Sequence, residues 1–293
     1  MMFQDIDPHK FHIEYVKTVP KSEDYLVIVH DNRILFTKGD EAKLPTVSEV
    51  SEACLAEIET TSDELFQYLF SIDDKAFYTF CDRQGDLVTN ICIETLADSY
   101  ELVRPGDLRR RKPMWVAYGA TVAYRLVAFY DEHRYCGRCG GRCEHSDIER
   151  AMVCTKCGYT AYPQISPSVI VLIRNGDKAV LTKYSAAHSS YRNYALVAGY
   201  VETGETPEDA VRREVFEEVG LRVKNIRYYK SQPWPLSGAL LLGYICDLDG
   251  DDTIVREEGE LSVAQWVHRN DMPDRSDDIS LTSELMEVFR KGS

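Results

Sequence analysis

Residues 199–221 read Gly199-Tyr-Val-Glu-Thr-Gly-Glu-Thr-Pro-Glu-Asp-Ala-Val-Arg-Arg-Glu-Val-Phe-Glu-Glu-Val-Gly-Leu221. Thr206 is a good N-cap and Pro207 suits the first helical position. Glu208 and Asp209 fall where the helix dipole favours negative charge, and Gly220 supplies a stop. Ala210, Val211, Val215 and Val219 give this short helix an apolar side. Glu214, Glu217 and Glu218 stand at i, i+3 and i+4, so three like charges become neighbours and weaken the helix in isolation. A hard divalent cation held by oxygen ligands removes that repulsion. Upstream, Gly199 and Gly204 bracket a loop that can bend tightly and let a ligand approach the backbone. The stretch reads as loop, helix, loop, with Glu205 at the entry and a cation site suited to phosphate chemistry inside.

The rest of the chain sets bounds. Its 293 residues suit two domains or one large one, and 44 % hydrophobic content supports a substantial core. No run of about 18 apolar residues is present to span a membrane. The opening Met-Met-Phe-Gln-Asp-Ile-Asp has neither a basic region nor an apolar core, so no export signal is expected there. A net charge of −14 argues against broad affinity for nucleic acid, though not against a substrate with few phosphates. Nine cysteines without an export signal suit a reducing cytoplasm. Cys54, Cys81, Cys92 and Cys246 read as core residues.

A second motif lies at 136–157, where Cys136-Gly-Arg-Cys139 and Cys154-Thr-Lys-Cys157 are each followed by glycine, Gly140 and Gly158. Four thiolates suit tetrahedral Zn²⁺, and a closed Cys₄ set has no open position for catalysis. The ion is expected to staple a segment too short to bury its own core. Cys143 and His145 lie in the spacer, and the repeated spacing favours Cys136, Cys139, Cys154 and Cys157 as the ligands.

Before residue 105, Tyr25–His30, Arg33–Thr37, Ala76–Phe80 and Leu87–Cys92 read as strands, with turns at Asp31-Asn32 and Arg83–Asp86. Residues 107–133 read as one helix, with Trp115, Ala117, Tyr118, Val122, Leu126 and Phe129 on its apolar face and Arg109–Lys112 as a basic cluster at its start. After 164, strands are expected at 168–174, 179–183, 195–201, 226–230, 239–247 and 263–267, and a helix over 282–291. Strands interleaved with two helices suggest a mixed sheet between helical layers. Ser231-Gln-Pro-Trp-Pro235 has two prolines that stiffen the backbone around an aromatic residue, as a rigid wall or a packed turn.

The spacing Gly199, Glu205, Arg213-Glu214-Val215, Glu217-Glu218, Gly220-Leu221 resembles the Nudix box at every fixed position. The order zinc ribbon, Tyr162-Pro-Gln, box, Ser231-Gln-Pro-Trp-Pro235 resembles the bacterial NADH pyrophosphatase branch of the Nudix hydrolases, closely from about 130 to 291 and loosely before. The resemblance implies an α/β fold: a Nudix-type mixed sheet sandwiched between helices (164–293), a Cys₄ zinc ribbon (133–163), and a degenerate Nudix-like N-terminal domain with its linking helix (1–132).

It also implies hydrolysis of the diphosphate of NAD(H) to nicotinamide mononucleotide and AMP, or removal of an NAD cap from RNA 5′ ends, by a cytoplasmic homodimer. Mg²⁺ or Mn²⁺ would be held by Glu214, Glu218 and Glu260 with the Ala198 carbonyl, and Glu217 completes the acidic set. Glu218, then Glu205, is the candidate base, and Arg213 orients the carboxylates. Tyr162, Tyr200 and Glu149 match substrate contacts, as do Gln232, Pro233, Trp234, Pro235, Ala239 and Thr282 around the pocket. On the residues alone, Tyr162 and Tyr200 could equally be packing. Two stretches depart from the family pattern: Leu236-Ser237-Gly238-Ala239 stands in place of Phe-Pro, any residue, Ser, so one aromatic and one hydroxyl are missing, and Ser280-Leu281-Thr282 replaces Ser-Ile-Ala. Both bear on substrate preference. Another nucleoside-diphosphate substrate, or a non-enzymatic zinc-ribbon module, are the competing readings.

Overall fold

A computed structural model of the chain describes residues 2–54, 65–81, 85–189, 191–274 and 279–292. The chain forms two compact units, Phe3–Gln164 and Ile165–Ser293, the second joined by Met1–Met2.

The first unit contains β1 (Phe11–His12), β2 (Tyr25–Leu26), β3 (Val29–His30), β4 (Arg33–Thr37), α1 (Val47–Cys54), β5 (Phe66–Ile72), β6 (Lys75–Phe80), α2 (Gly85–Thr95), β7 (Tyr100–Val103), α3 (Met114–Glu132), β8 (Cys143–His145), β9 (Met152–Cys154) and β10 (Thr160–Ala161). Its sheets run β1-β5-β6-β2, β3-β4-β7 and β10-β9-β8. A core of Leu26, Ile28, Leu35, Val50, Tyr78, Val88 and Cys92 holds α1 and α2 to the strands.

Three expectations change here. Tyr25–His30 is not one strand but two, β2 and β3, in different sheets. Leu87–Cys92 lies in α2, not in a strand. Its β-branched composition suggested a strand, but Val88, Thr89 and Cys92, which fall within one helical turn, are buried together. The 107–133 helix is broken. A 3₁₀ helix covers Pro105–Arg110, and α3 starts only after Pro113, because a residue before proline is held out of the α region. The basic cluster therefore precedes α3 instead of opening it. Of the turn expected at 83–86, residues 83–84 lie outside the described residues and 85–86 open α2 instead; the Cys54 side chain also lies outside them. Cys92 and Cys246 are buried, and Cys81 is partly exposed.

In the second unit, β11 (Ser166–Asn175), β12 (Lys178–Tyr184), β13 (Val197–Tyr200), α4 (Pro207–Val219), β14 (Val223–Trp234), β15 (Ala239–Leu248), β16 (Leu261–His268) and α5 (Leu281–Lys291) follow in order. The sheet runs β14-β15-β11-β12-β16, with β13 also on β11. The β11–β15 pair is parallel; the others are antiparallel. Alternate residues of β11 face opposite layers. Val169, Val171 and Ile173 pack on Ala210, Val211, Val215 and Val219 of α4. Ile170 and Leu172 pack on Leu281, Leu285, Met286 and Phe289 of α5, together with Met2. A strand buried on both faces is continuously apolar, which is how 169–173 reads.

Ser231–Trp234 is not a free-standing turn. It is the end of β14, in register with Ala239–Leu242, and the chain reverses only over 235–238.

Candidate active site

The α4 helix is capped as its sequence demands. Thr206 Oγ1 accepts from the Asp209 amide at 3.2 Å, and Gly220 takes φ +70°. The Tyr244 hydroxyl donates to Glu208 at 3.0 Å and ties the first turn to β15. The three box carboxylates do not share one environment. Glu217 is exposed, whereas Glu218 lies on the buried face with Val211 and Val215, 2 % exposed.

Its Oε1 accepts from the Ala198 amide of β13 at 3.2 Å, and its Oε2 is buried with no hydrogen-bond partner. Burial pushes Glu218 up to about 8. The Ala198 amide opposes the shift, and the charges of Glu260, Glu214 and Glu217 add to it. Burial likewise raises Glu214, against the pull of Arg213.

Glu214 rests where a side chain on Gly199 would be. A Cβ built there would lie 2.0 Å from the Glu214 carboxyl carbon. Gly199 is thus fixed by close approach.

Arg213 organises the rest of the loop. Its Nε and Nη2 donate to the two oxygens of Glu205, each at 2.9 Å. Nη1 reaches Glu214 at 2.7 Å and Glu217 at 3.0 Å, and Nη2 reaches the Tyr200 carbonyl at 2.9 Å. Glu205 also accepts from the Glu202 amide at 3.0 Å, and the Arg213 bonds hold its carboxyl below the usual range. With both oxygens engaged, Glu205 is an anchor of the loop rather than a ready base.

Glu260 ends the loop before β16, within electrostatic reach of Glu218 and Glu214. Two residues the sequence reading missed stand beside it. Burial, with the charges of Glu218 and Glu260, raises the Tyr184 phenol, and His188 Nε2 lies 3.2 Å from Glu260 Oε1. No spacing pattern announces either one. The Tyr184↔Leu261 register of β12 on β16 is what brings them there.

Among the pocket residues, Gln232 is fully buried. Its amide donates to the Ile279 carbonyl and accepts from the Leu281 amide, both at 2.8 Å, so it fastens the start of α5. Pro235 and Ala239 are buried, Trp234 and Thr282 partly so, and Pro233 is exposed. Tyr200 is half exposed. Tyr162 and Glu149 belong to the first unit, where the Tyr162 hydroxyl donates to Glu149 Oε1 at 3.0 Å.

In that unit the four expected cysteines come together. Cys136, Cys139, Cys154 and Cys157 place their sulfurs within 4.8 Å of one another. The Cys136–Cys157 and Cys139–Cys154 separations are 3.8 and 3.5 Å. A tetrahedron with Zn–S bonds near 2.3 Å has edges of about 3.8 Å, so the set fits Zn²⁺. Gly140 and Gly158 both have positive φ, which lets each knuckle turn close on its first cysteine. Cys143 is buried, and its thiol is raised by burial, which suits the bystander expected from the sequence.

Among the described residues these thiols are the only such tight donor group. The Glu214, Glu218 and Glu260 oxygens do not form so tight a group. They still suit divalent cations, because a buried Glu218 oxygen lacks a partner and Glu214 has a cradle made by Gly199.

Residues 165–285 match the NUDIX domain, and residues 131–162 match the NADH pyrophosphatase zinc ribbon domain. This chain carries a NUDIX domain. The NUDIX domain therefore owns α4, the Gly199 loop and Glu260, and a zinc ribbon precedes it. Curated relatives called NAD-capped RNA hydrolase NudC, from Escherichia coli (strain HS), Shigella boydii and Escherichia fergusonii, are 43 % identical over 151 residues, 51 % of this chain. The match spans 57 % of those relatives' own length. A solved NUDIX hydrolase from Nitrosomonas europaea is similar at 21 % identity, over 54 % of this chain and 90 % of that one, with a TM-score of 0.47. No described helix is long and apolar enough to cross a membrane.

Proposed function

We propose that the protein hydrolyses the diphosphate bond of NAD(H), releasing nicotinamide mononucleotide and AMP. The observation that carries the reading is Glu218: a carboxylate buried at 2 % exposure with an unpartnered oxygen, inside a NUDIX domain. A buried charge of this kind is costly unless a cation or proton compensates it.

In this reading Glu214, Glu218 and Glu260, with the Ala198 carbonyl, hold Mg²⁺ or Mn²⁺. Such ions, when bound, neutralise phosphate charge during displacement. The residues do the remaining work. Glu218 accepts the proton of the attacking water. Arg213 fixes Glu214 and Glu217 while Glu205 secures Arg213, and Tyr200, half exposed beside the loop, offers a face to a base ring. Hydrolysis is assigned to 164–293, the zinc scaffold to 133–163, and a non-catalytic Nudix-like role to 1–132. A homodimer belongs to the same reading. So does a cytoplasmic setting, supported by eight described cysteines of which none is in a disulfide.

The relatives' name favours one second reading, removal of an NAD cap from RNA. The basic cluster offers that reading only modest help. Arg109 and Arg111 are turned onto the Gly106 and Thr37 carbonyls, leaving Arg110 and Lys112 exposed. With a net charge of −14, the small dinucleotide is the better-supported substrate.

Product analysis with NADH and with NAD-capped RNA, each with Mg²⁺ or Mn²⁺, tests the proposal. AMP with reduced nicotinamide mononucleotide is the expected result. Faster turnover of the capped RNA would favour the second reading, and inertness toward every dinucleotide and cap would end both.

A further inference from the structure

We propose that His188 is a positioning residue for Glu260: it holds that carboxylate in the acidic cluster so that one oxygen stays directed at a divalent cation. The inference rests on the reading of Glu260 as a cation ligand and assigns a role to a residue that belongs to no motif of the box.

The geometry begins at the end of β12. Ser185–Ser189 forms a tight turn in which the Ser189 amide donates to the Ser185 carbonyl, and the His188 amide reaches both the carbonyl and the hydroxyl of Ser185. The turn is clasped to the segment carrying Glu260. The Ser185 amide donates to the Glu260 carbonyl at 2.8 Å, and the Ser185 hydroxyl donates to the Gly259 carbonyl at 2.9 Å. From the other strand, Ser262 Oγ donates to the Lys183 and Tyr184 carbonyls. Backbone position on both sides is therefore set without the imidazole.

On this frame the His188 imidazole stacks against the Tyr184 ring, with centroids 5.5 Å apart and an interplanar angle of 23°. Its Nε2 stands 3.2 Å from Glu260 Oε1. The Glu260 side chain is one-third exposed, and Glu214 and Glu218 carry like charges nearby. Left alone, such a carboxylate turns toward water and away from its neighbours. Nε2 stands against Oε1, and Oε2 is the oxygen proposed for the cation. His188 is itself 46 % exposed, so the pair adds little to folding stability. Its effect is on where the carboxylate points. Partners that orient metal-binding groups typically change metal affinity by about 10–100-fold when removed.

The test is an Mn²⁺ titration followed by electron paramagnetic resonance on the full chain. It compares wild type with His188→Ala, His188→Gln and Glu260→Gln, alongside thermal melts in a chelator. His188→Ala is expected to weaken Mn²⁺ binding about 10–100-fold, with an unchanged metal-free melt. His188→Gln, whose amide nitrogen can take the place of Nε2, is expected to recover most of the affinity. Glu260→Gln should weaken the same site.

If Glu260→Gln weakens Mn²⁺ binding but His188→Ala does not, the positioning role is overturned while the ligand reading stands. If neither has an effect, Glu260 is no ligand and both fall. If His188→Gln is as weak as His188→Ala, the imidazole binds the ion itself and the positioning role is again overturned.

Discussion

Gly199 has no side chain, and the position of Glu214 depends on that fact. A methyl group there would overlap the Glu214 carboxyl at 2.0 Å. Gly199→Ala is expected to displace the Glu214 carboxyl, the movable end of its side chain, with little loss of stability and a sharp fall in hydrolysis; urea unfolding and turnover of NADH check both. Glu218→Gln separates chemistry from folding in a different way. Burial pushes the metal-free Glu218 carboxyl up to about 8, so it is largely neutral at pH 7. An amide of the same shape should leave the metal-free protein melting no lower than wild type, while turnover falls by about 10²–10⁴-fold. A variant that stays active would remove Glu218 from the reaction.

At this scale the spacing of the box made most of the site legible. Glu205, Arg213, Glu214 and Glu218 all meet around one loop. Spacing could not show that Glu217 and Glu218, adjacent in sequence, differ from solvent-exposed to fully buried. That depends on which face of α4 the sheet covers. Nor could it show that Glu205 is consumed by Arg213, or that His188 reaches Glu260 from another loop.

The elements of the second unit were readable because their patterns are unambiguous: an apolar strand buried on both faces, and a helix with both caps written in its sequence. Those of the first unit were less so, since α2 has strand-like composition and β1, β2 and β3 are only two residues each. One helix start there was written plainly and passed over. Thr46-Val-Ser-Glu49 is a capping box. The Thr46 amide donates to Glu49 Oε2 at 2.8 Å, and the Glu49 amide donates to Thr46 Oγ1 at 3.3 Å.

Burial tends to raise Glu49, but bonds from Lys43, Thr46 and Tyr100 prevail and hold it at about 2, below its ordinary 4.5. Its stabilising effect is therefore complete above pH 4.5 and is lost as pH falls toward 2. Glu49→Gln should lower stability at neutral pH by about 1 kcal/mol, because the Lys43 pair is partly exposed. The gap from wild type should close as pH falls through that window. Unfolding free energies measured across the acid range test this.

For the molecule as a whole, zinc is the structural hinge of the first unit. The ribbon spacer is tied to the irregular segment after β1 and to β5. Tyr15 donates to the Ser146 carbonyl, Lys17 pairs with Asp147, and Arg150 reaches the Ile13 and Leu69 carbonyls. Removing the ion, by chelation or by Cys154→Ser, should loosen these ties along with the knuckles. Calorimetry is expected to show an early transition for the first unit, while the separately cored second unit keeps its own. Metal analysis should find a single zinc lost per chain, given one Cys₄ set.

Met2 carries a last consequence. Its side chain, 1 % exposed, fills the layer beneath α5 among Ile170, Leu172, Leu285 and Phe289, although the chain between it and Ile165 folds elsewhere. Anyone trimming the protein down to its hydrolytic half at residue 165 would pull a plug from that half's own interior. Met2→Ala in the intact chain should reproduce the damage, about 2–5 kcal/mol on the later-melting transition. The shortest self-sufficient version of the hydrolytic half is thus not a contiguous stretch of sequence.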